Sequence, residues 1–271
     1  MKWNVGSILV SIMFLGCKSI PLVYNVPGTI NKRSAQGMDI FGDHAFMAYD
    51  GGLCRIYNLK RQEEITRFYF ESKGKTNHSN SLAFGVNYPR DNNEYPALYI
   101  SECTTPGRCF VESVCKGGSR LIQTISFQNR VTSWFIDREN RKLYAMFHTF
   151  RGKRMTDSIR ICQFSIPPLS IANIELTDND VEYSFKVKVP YTLQGGTIEK
   201  GVLYIPVGKN DKKDGKLHPR KVLVIDIDKA EIINTIDISL IKDEPEDVSF
   251  YKKKLYVFCG QAGGMYSIKI N

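Results

Sequence analysis

Five short segments place polar side chains at the head of apolar, strand-like runs: Gln36-Gly37, His78-Ser79-Asn80-Ser81, Thr132-Ser133-Trp134, Gln194-Gly195 and Pro245-Glu246-Asp247. Amide side chains both donate and accept hydrogen bonds, so Gln36, Asn80 and Gln194 suit recognition of a polar ligand. Glu246 is the best single candidate for an acid or base. Proton transfer needs a positioned and tuned group, and no motif sets a second carboxylate beside it, so the catalytic assignment stays open and the balance leans away from an enzyme. His78 is read either as a ligand-facing imidazole or as a structural histidine. Trp134 is read either as a stacking surface or as packing between sheets. Glycine-rich phosphate loops, GxSxG and HExxH are all missing from the chain. No Cys/His spacing fits zinc. Asp178-Asn179-Asp180 resembles a fragment of a calcium loop without its remaining ligands and glycine, and it reads as a turn. No metal or cofactor is expected.

These residues act together only if the fold gathers them. Short alternating segments punctuated by turn residues fill the chain, and no sustained apolar run has helical spacing. One element recurs: Phe46, Tyr99, Tyr144, Tyr204 and Tyr256 each stand inside a short apolar strand, 53, 45, 60 and 52 residues apart. That period is the length of a four-stranded blade and predicts an all-β propeller. Five blades follow from five repeats. A sixth would need irregular strands hidden around Leu169 to Asp180, and a β-sandwich is the other architecture compatible with the strand pattern. The fifth repeat lacks a fourth strand, whereas residues 21–26 form a strand without a blade. Pairing of residues 21–26 with residues 264–270 is therefore expected to close the ring. In a propeller the innermost strands line a central channel, so Gln36, His78, Asn80, Trp134, Gln194 and Glu246 are expected to converge on one funnel. A funnel of this kind holds a polar ligand or ordered water.

The first sixteen residues read as a separate unit. Lys2 precedes a short apolar stretch from Val5 to Leu15, too short to span a bilayer as a mature helix. Phe14-Leu15-Gly16-Cys17 resembles a lipoprotein signal. It implies removal of residues 1–16, lipidation of Cys17 and a mature domain over residues 17–271, held to the bilayer by more than one acyl chain. Lys18 after the cysteine points to the outer membrane. The remaining cysteines are Cys54, Cys103, Cys109, Cys115, Cys162 and Cys259. Cys103 and Cys109 flank an apparent hairpin turn, and an exported protein could bridge them if they lie opposite one another. Net charge is +9, with 37 basic against 28 acidic residues. The densest basic run, Lys209 to Lys221, is diluted by Asp211 and Asp214 and lacks an aromatic for base stacking. It reads as a solvated loop, and no nucleic-acid partner is expected.

The segments Gln36-Gly37-Met38-Asp39-Ile40, Asn77-His78-Ser79-Asn80-Ser81-Leu82, Leu176-Thr177-Asp178-Asn179-Asp180 and Glu244-Pro245-Glu246-Asp247 resemble those of uncharacterised TolB-like propeller lipoproteins. That resemblance implies fold and an envelope location, with six blades rather than five. A fainter resemblance is to five-bladed glutaminyl cyclases, whose blades open with Gln-Gly and Glu-Gly. Gln36-Gly37 matches the first, but Asn80-Ser81 replaces the carboxylate expected on the second. Three classes follow: a monomeric envelope protein capturing a peptide or glycan, a scaffold for another envelope protein, or a cyclase-like enzyme.

Overall fold

The repeating aromatic reports a packing role that every blade needs. A computed structural model describes residues 19–74, 78–152, 154–208 and 219–270, and it is a five-blade β-propeller. The expected signal, Cys17 and Asn77 lie outside the described residues. The chain begins with β1 (Leu22–Pro27) and the short β2 (Thr29–Ile30). Blade 1 is β3 (Arg33–Phe41), β4 (His44–Tyr49), β5 (Leu53–Asn58) and β6 (Glu63–Tyr69). Blade 2 is β7 (Leu82–Phe84), β8 (Leu98–Glu102), β9 (Gly107–Cys115) and β10 (Gly118–Phe127). Next come β11 (Ser133–Asp137), β12 (Lys142–Arg151) and β13 (Arg154–Ser165) of blade 3. The chain then adds β14 (Asn173–Leu176) to the outside of blade 2, parallel to β10, before β15 (Tyr183–Lys188) completes blade 3. Blade 4 is β16 (Thr197–Glu199), β17 (Val202–Val207), β18 (Lys221–Asp226) and β19 (Glu231–Asp237). Blade 5 is β20 (Pro245–Tyr251), β21 (Lys254–Cys259) and β22 (Gly263–Ile268).

Blade 5 takes its fourth strand from β1, which pairs antiparallel with β22, Leu22 opposite Tyr266 and Pro27 opposite Gly263. Closure by the N-terminal strand is thus as expected. Residues 169–180 hide a single strand rather than a sixth blade. After it, Asp178–Asp180 is a turn closed by a capping box between Thr177 and Asp180, a local motif that satisfies its backbone donors.

Five hydrophobic clusters make the core, one between each pair of neighbouring blades. Phe46 fills the gap between blades 1 and 2, Tyr99 that between 2 and 3, and Tyr144 that between 3 and 4. Tyr204 and Tyr256 do the same for blades 4 to 5 and 5 to 1. Strand side chains alternate between the two faces of a blade, so one position of the middle strand always meets the next blade. Burying such a ring stabilises by roughly 1.5–3 kcal/mol, which explains its recurrence.

The cysteines are free among the described residues. Cys103 and Cys109 are not opposite one another. The β8–β9 register sets Ser101 against Cys109 and Glu102 against Arg108, so Cys103 falls beyond the strand end and the expected geometry for a bridge is missing. Of the run Lys209 to Lys221, only its end is described. There Pro219 is exposed, Arg220 is buried and Lys221 is half-buried.

Candidate functional site

Every innermost strand starts at the same end of the molecule, where a cleft of ≈ 1190 Å³ opens along the axis. Gln36 on β3, Asn80 ahead of β7, Thr132 ahead of β11, Gln194 ahead of β16 and Glu246 on β20 all line it, one residue from each blade. Each is at least nine-tenths buried. His78 joins them at the rim, where its Nδ1 lies 2.6 Å from Asp50 Oδ1. Asp50 Oδ2 accepts the Ser34 N–H at 3.3 Å.

Trp134 does not reach the cleft. It is fully buried, its indole N–H donates to the Arg108 carbonyl at 3.1 Å, and its ring packs near Phe164. Once β11 begins, its side chains point toward the neighbouring blades. Thr132, two residues earlier, holds the axial position of blade 3 instead.

A belt of hydrogen bonds fixes this ring. Asn80 Nδ2 donates to the Thr132 carbonyl at 3.0 Å and to Ser133 Oγ at 2.9 Å. Ser133 Oγ donates to the Gln194 carbonyl at 3.1 Å. Gly195 N–H donates to the Glu246 carbonyl at 2.8 Å, and Gln194 Nε2 to Glu244 Oε1 at 2.8 Å. The belt consumes both amide donors of Asn80 and leaves its carbonyl oxygen for the cleft. Together with Glu244 and Glu246, the floor is rich in acceptors. Gln36 is as buried as Asn80 and Gln194 but differs from those two amides in that its side chain makes no hydrogen bond to any described residue.

Beneath the floor, Asp247 ties three blades together. Its carboxyl accepts N–H groups from Met38 at 2.8 Å, Val248 at 2.8 Å and Leu82 at 3.4 Å. Complete burial pushes its pKa well above the ordinary carboxylate range, against these three donors. One layer further, Asp39 accepts from Ser249 Oγ at 2.6 Å and Phe84 N–H at 2.7 Å, and pairs with Arg138. Both carboxylates are bound up in holding the blades.

Blade 3 supplies the opposite flank. His148, Phe150, Arg151, Thr156 and Asp157 come from the β12–β13 hairpin, and Arg130 from the preceding loop. Buried His148 Nδ1 has no hydrogen-bond partner among the described residues. Burial and the nearby Arg130 charge push the His148 pKa below its ordinary value, so the imidazole is neutral at neutral pH. Arg130 Nη2 donates to Cys103 Sγ at 3.7 Å. Phe150, 53% exposed, and Tyr191 add an aromatic lip.

Sequence reasoning did not single out this flank, although a signal existed. The residue four positions after each repeating aromatic is Asp50, Cys103, His148, Gly208 and Gly260. The first three line the cleft, because the second strand of every blade climbs to the cleft end. The fifth makes room: a Cβ on Gly260 would stand 2.3 Å from Glu246 Oε1.

No protein-family model and no curated protein matches the chain. Among solved structures it is similar to the glutaminyl cyclase of Myxococcus xanthus, at 14% identity and a TM-score of 0.58, over 93% of this chain and 98% of that one. It is also similar to the β-propeller domain of Cps50 (Swd1) from Myceliophteria thermophila, at 10% identity and a TM-score of 0.45, over 88% and 84% of the two chains. At these identities the likeness establishes the fold alone.

Proposed function

We propose that this propeller is a cell-envelope binding protein, held to its membrane through Cys17, that captures a short peptide in the funnel. The observation that carries the reading is Gln36: a nine-tenths-buried amide, facing the cleft, with no hydrogen-bond partner among the described residues. A primary amide both donates and accepts hydrogen bonds, so a ligand backbone amide lying along the cleft satisfies both of its ends. The rest of the cleft suits the same ligand class. The Asn80 side-chain oxygen favours an amine or amide donor, Arg130 and Arg151 favour an anionic group, and Phe150 with Tyr191 favours an apolar side chain. A peptide carries all three.

The test is a thermal-shift screen of short peptides with free or acetylated N-termini and free or amidated C-termini. Bound ligand raises the melting temperature by mass action. The shift is expected to vanish in Gln36→Ala while the unliganded melt stays within a few degrees. Peptides that shift the parent and Gln36→Ala equally would refute the assignment.

A second reading is cyclase-like chemistry, favoured by the likeness to a glutaminyl cyclase over nearly the whole of both chains. Asn80 in place of the expected carboxylate stands against it. Ammonia release from a peptide with N-terminal Gln, lost in Glu246→Gln, would convert the binding site into an active site.

A further inference from the structure

Strand directions separate the two ends of the molecule, and the first described residues lie at the end away from the cleft. β22 runs from the cleft end at Gly263 to the far end at Ile268, and β1 runs back, Leu22 opposite Tyr266. The Ser267 N–H donates to the Pro21 carbonyl at 3.2 Å, which keeps the incoming chain beside the foot of blade 5. Ser19 stands two residues after Cys17 in the sequence, and two residues of chain reach at most roughly 7 Å.

This foot carries a run of three lysines that no other turn among the described residues has. Lys252, Lys253 and Lys254 follow one another at the β20–β21 turn, and Lys269 follows β22; all four are exposed. Extending the β21–β22 register, in which Leu255 faces Ile268, by one residue sets Lys254 opposite Lys269. Like charges directly opposite across strands are destabilising. Lys60 comes from the adjoining turn of blade 1: the Leu59 N–H donates to the Asp43 carbonyl at 2.8 Å, and the Tyr251 hydroxyl to Asp43 Oδ1 at 2.6 Å. Asp43 is the acid at this edge, and Lys252 lies 3.7 Å from it. Lys253, Lys254 and Lys269 pair with no described residue.

At the same end the other blades neutralise a cation each. Arg61 pairs with Glu63, Lys116 with Glu94, Lys142 with Glu182 and Lys229 with Asp226, all at 2.6 to 2.9 Å. Blade 5 also keeps its charge against backbone preference. Lys252 and Lys253 both adopt positive φ, 49° and 64°, and Lys253 holds the place that Gly201 takes in the equivalent turn of blade 4. Leu22, 50% exposed, lies at the same corner.

We infer that this foot, Lys60, Lys252, Lys253, Lys254 and Lys269 around the incoming chain, rests on an anionic phospholipid surface, so that the funnel faces away from the membrane. Charge complementarity and the short reach from Cys17 identify the occupant, and the inference rests on the anchoring reading above. Each lysine close to an anionic bilayer contributes about a fivefold gain in the docked population. Docking this way leaves the cleft open to ligands in the aqueous space beyond.

The test uses the full chain as a bacterial cell processes it, on vesicles of phosphatidylcholine alone or mixed equally with phosphatidylglycerol. The intact mass reports separately whether Cys17 carries lipid. If it does, hydrogen exchange is expected to slow at residues 252–255 and 267–270 on the anionic vesicles only, while residues 148–152 at the cleft stay unchanged. If it does not, anchoring fails, and vesicle flotation of the same chain still reads the foot. K253E/K254E/K269E, with a K253Q/K254Q/K269Q companion that adds no negative charge, should abolish the protection, or lower flotation by about 100-fold, with an unaltered melt. Protection that is equal on both vesicle types, that appears at the cleft, or that survives charge reversal would overturn the inference.

Discussion

A single methyl group at Gly195 tests how the axis is built. A Cβ there would stand 2.3 Å from both Cγ and Oδ1 of Asp247 and 2.7 Å from Oδ2. Asp247 has nowhere to move: it is fully buried and held by the Met38, Leu82 and Val248 N–H groups. If the carboxyl shifts, the donors of blades 1 and 2 lose their partner, and each orphaned buried N–H costs about 1–3 kcal/mol. If blade 4 shifts instead, the bond from Gly195 N–H to the Glu246 carbonyl breaks. Either path gives Gly195→Ala a loss on the order of 4 kcal/mol. Gly42→Ala is the control. Gly42 has φ of 59° and nothing within 4 Å of a built Cβ, so only the left-handed backbone penalty of about 1 kcal/mol applies. Urea unfolding measures both, read as a lower midpoint at constant slope. A Gly195→Ala midpoint no lower than that of Gly42→Ala would refute the claim that Asp247 pins the blades.

Further expectations are smaller. Lys253→Gly should stabilise the chain by about 1 kcal/mol by removing a left-handed lysine, while weakening contact with anionic vesicles; chemical denaturation and flotation read the two effects. Thiol titration of the native protein should modify Cys103 and Cys115, whereas buried Cys54, Cys109, Cys162 and Cys259 should react only after unfolding; a Cys103–Cys109 bridge in the native protein would contradict this. Glu182, held by Lys142, Ser165 and Gln163, has its pKa pulled down to about 2. Its contribution is therefore full above the unfolded value near 4.5 and lost as pH falls through about 2, and at 35% side-chain exposure screening limits it to about 1 kcal/mol. Glu182→Gln should flatten the melting temperature between those pH values.

What the sequence disclosed depended on whether a residue's role repeats. The middle-strand aromatics meet the same neighbour in every blade, so their spacing alone revealed the blade count, and the unpaired strand at residues 21–26 revealed the closure. The axial residues at Gln36, Asn80, Gln194 and Glu246 were legible because each stands just ahead of an apolar run. Trp134 misled for a related reason: Thr132 and Trp134 stand two apart, and only the point at which β11 enters the ladder decides which of them faces the axis. The blade 3 flank was hidden because its members share a position, not a residue type. Asp50, Cys103 and His148 have nothing in common chemically, so no pattern of composition links them until the climb of the second strand is known.

That division has a physical basis. The belt through Asn80, Ser133, Gln194 and the Glu246 carbonyl, with Asp247 and Asp39 below it, bonds blade to blade. Changing any member disturbs two blades at once. Three of the residues four places after the aromatics, Asp50, Cys103 and His148, line the cleft with side chains that take no part in the belt. Binding specificity is therefore expected to reside in Asp50, Cys103, His148 and the glycine at 260, and ring integrity in the belt. Exchanging His148 for Asn should alter which peptides shift the melting temperature without moving the unliganded melt by more than a few degrees. Gly260→Ala should do the same from the other side by displacing the flexible end of Glu246, the one atom group its Cβ would meet within 3 Å. If either change instead lowers stability as much as Gly195→Ala, then the strand ends belong to the belt, and the cleft has no independent positions at which recognition could be tuned.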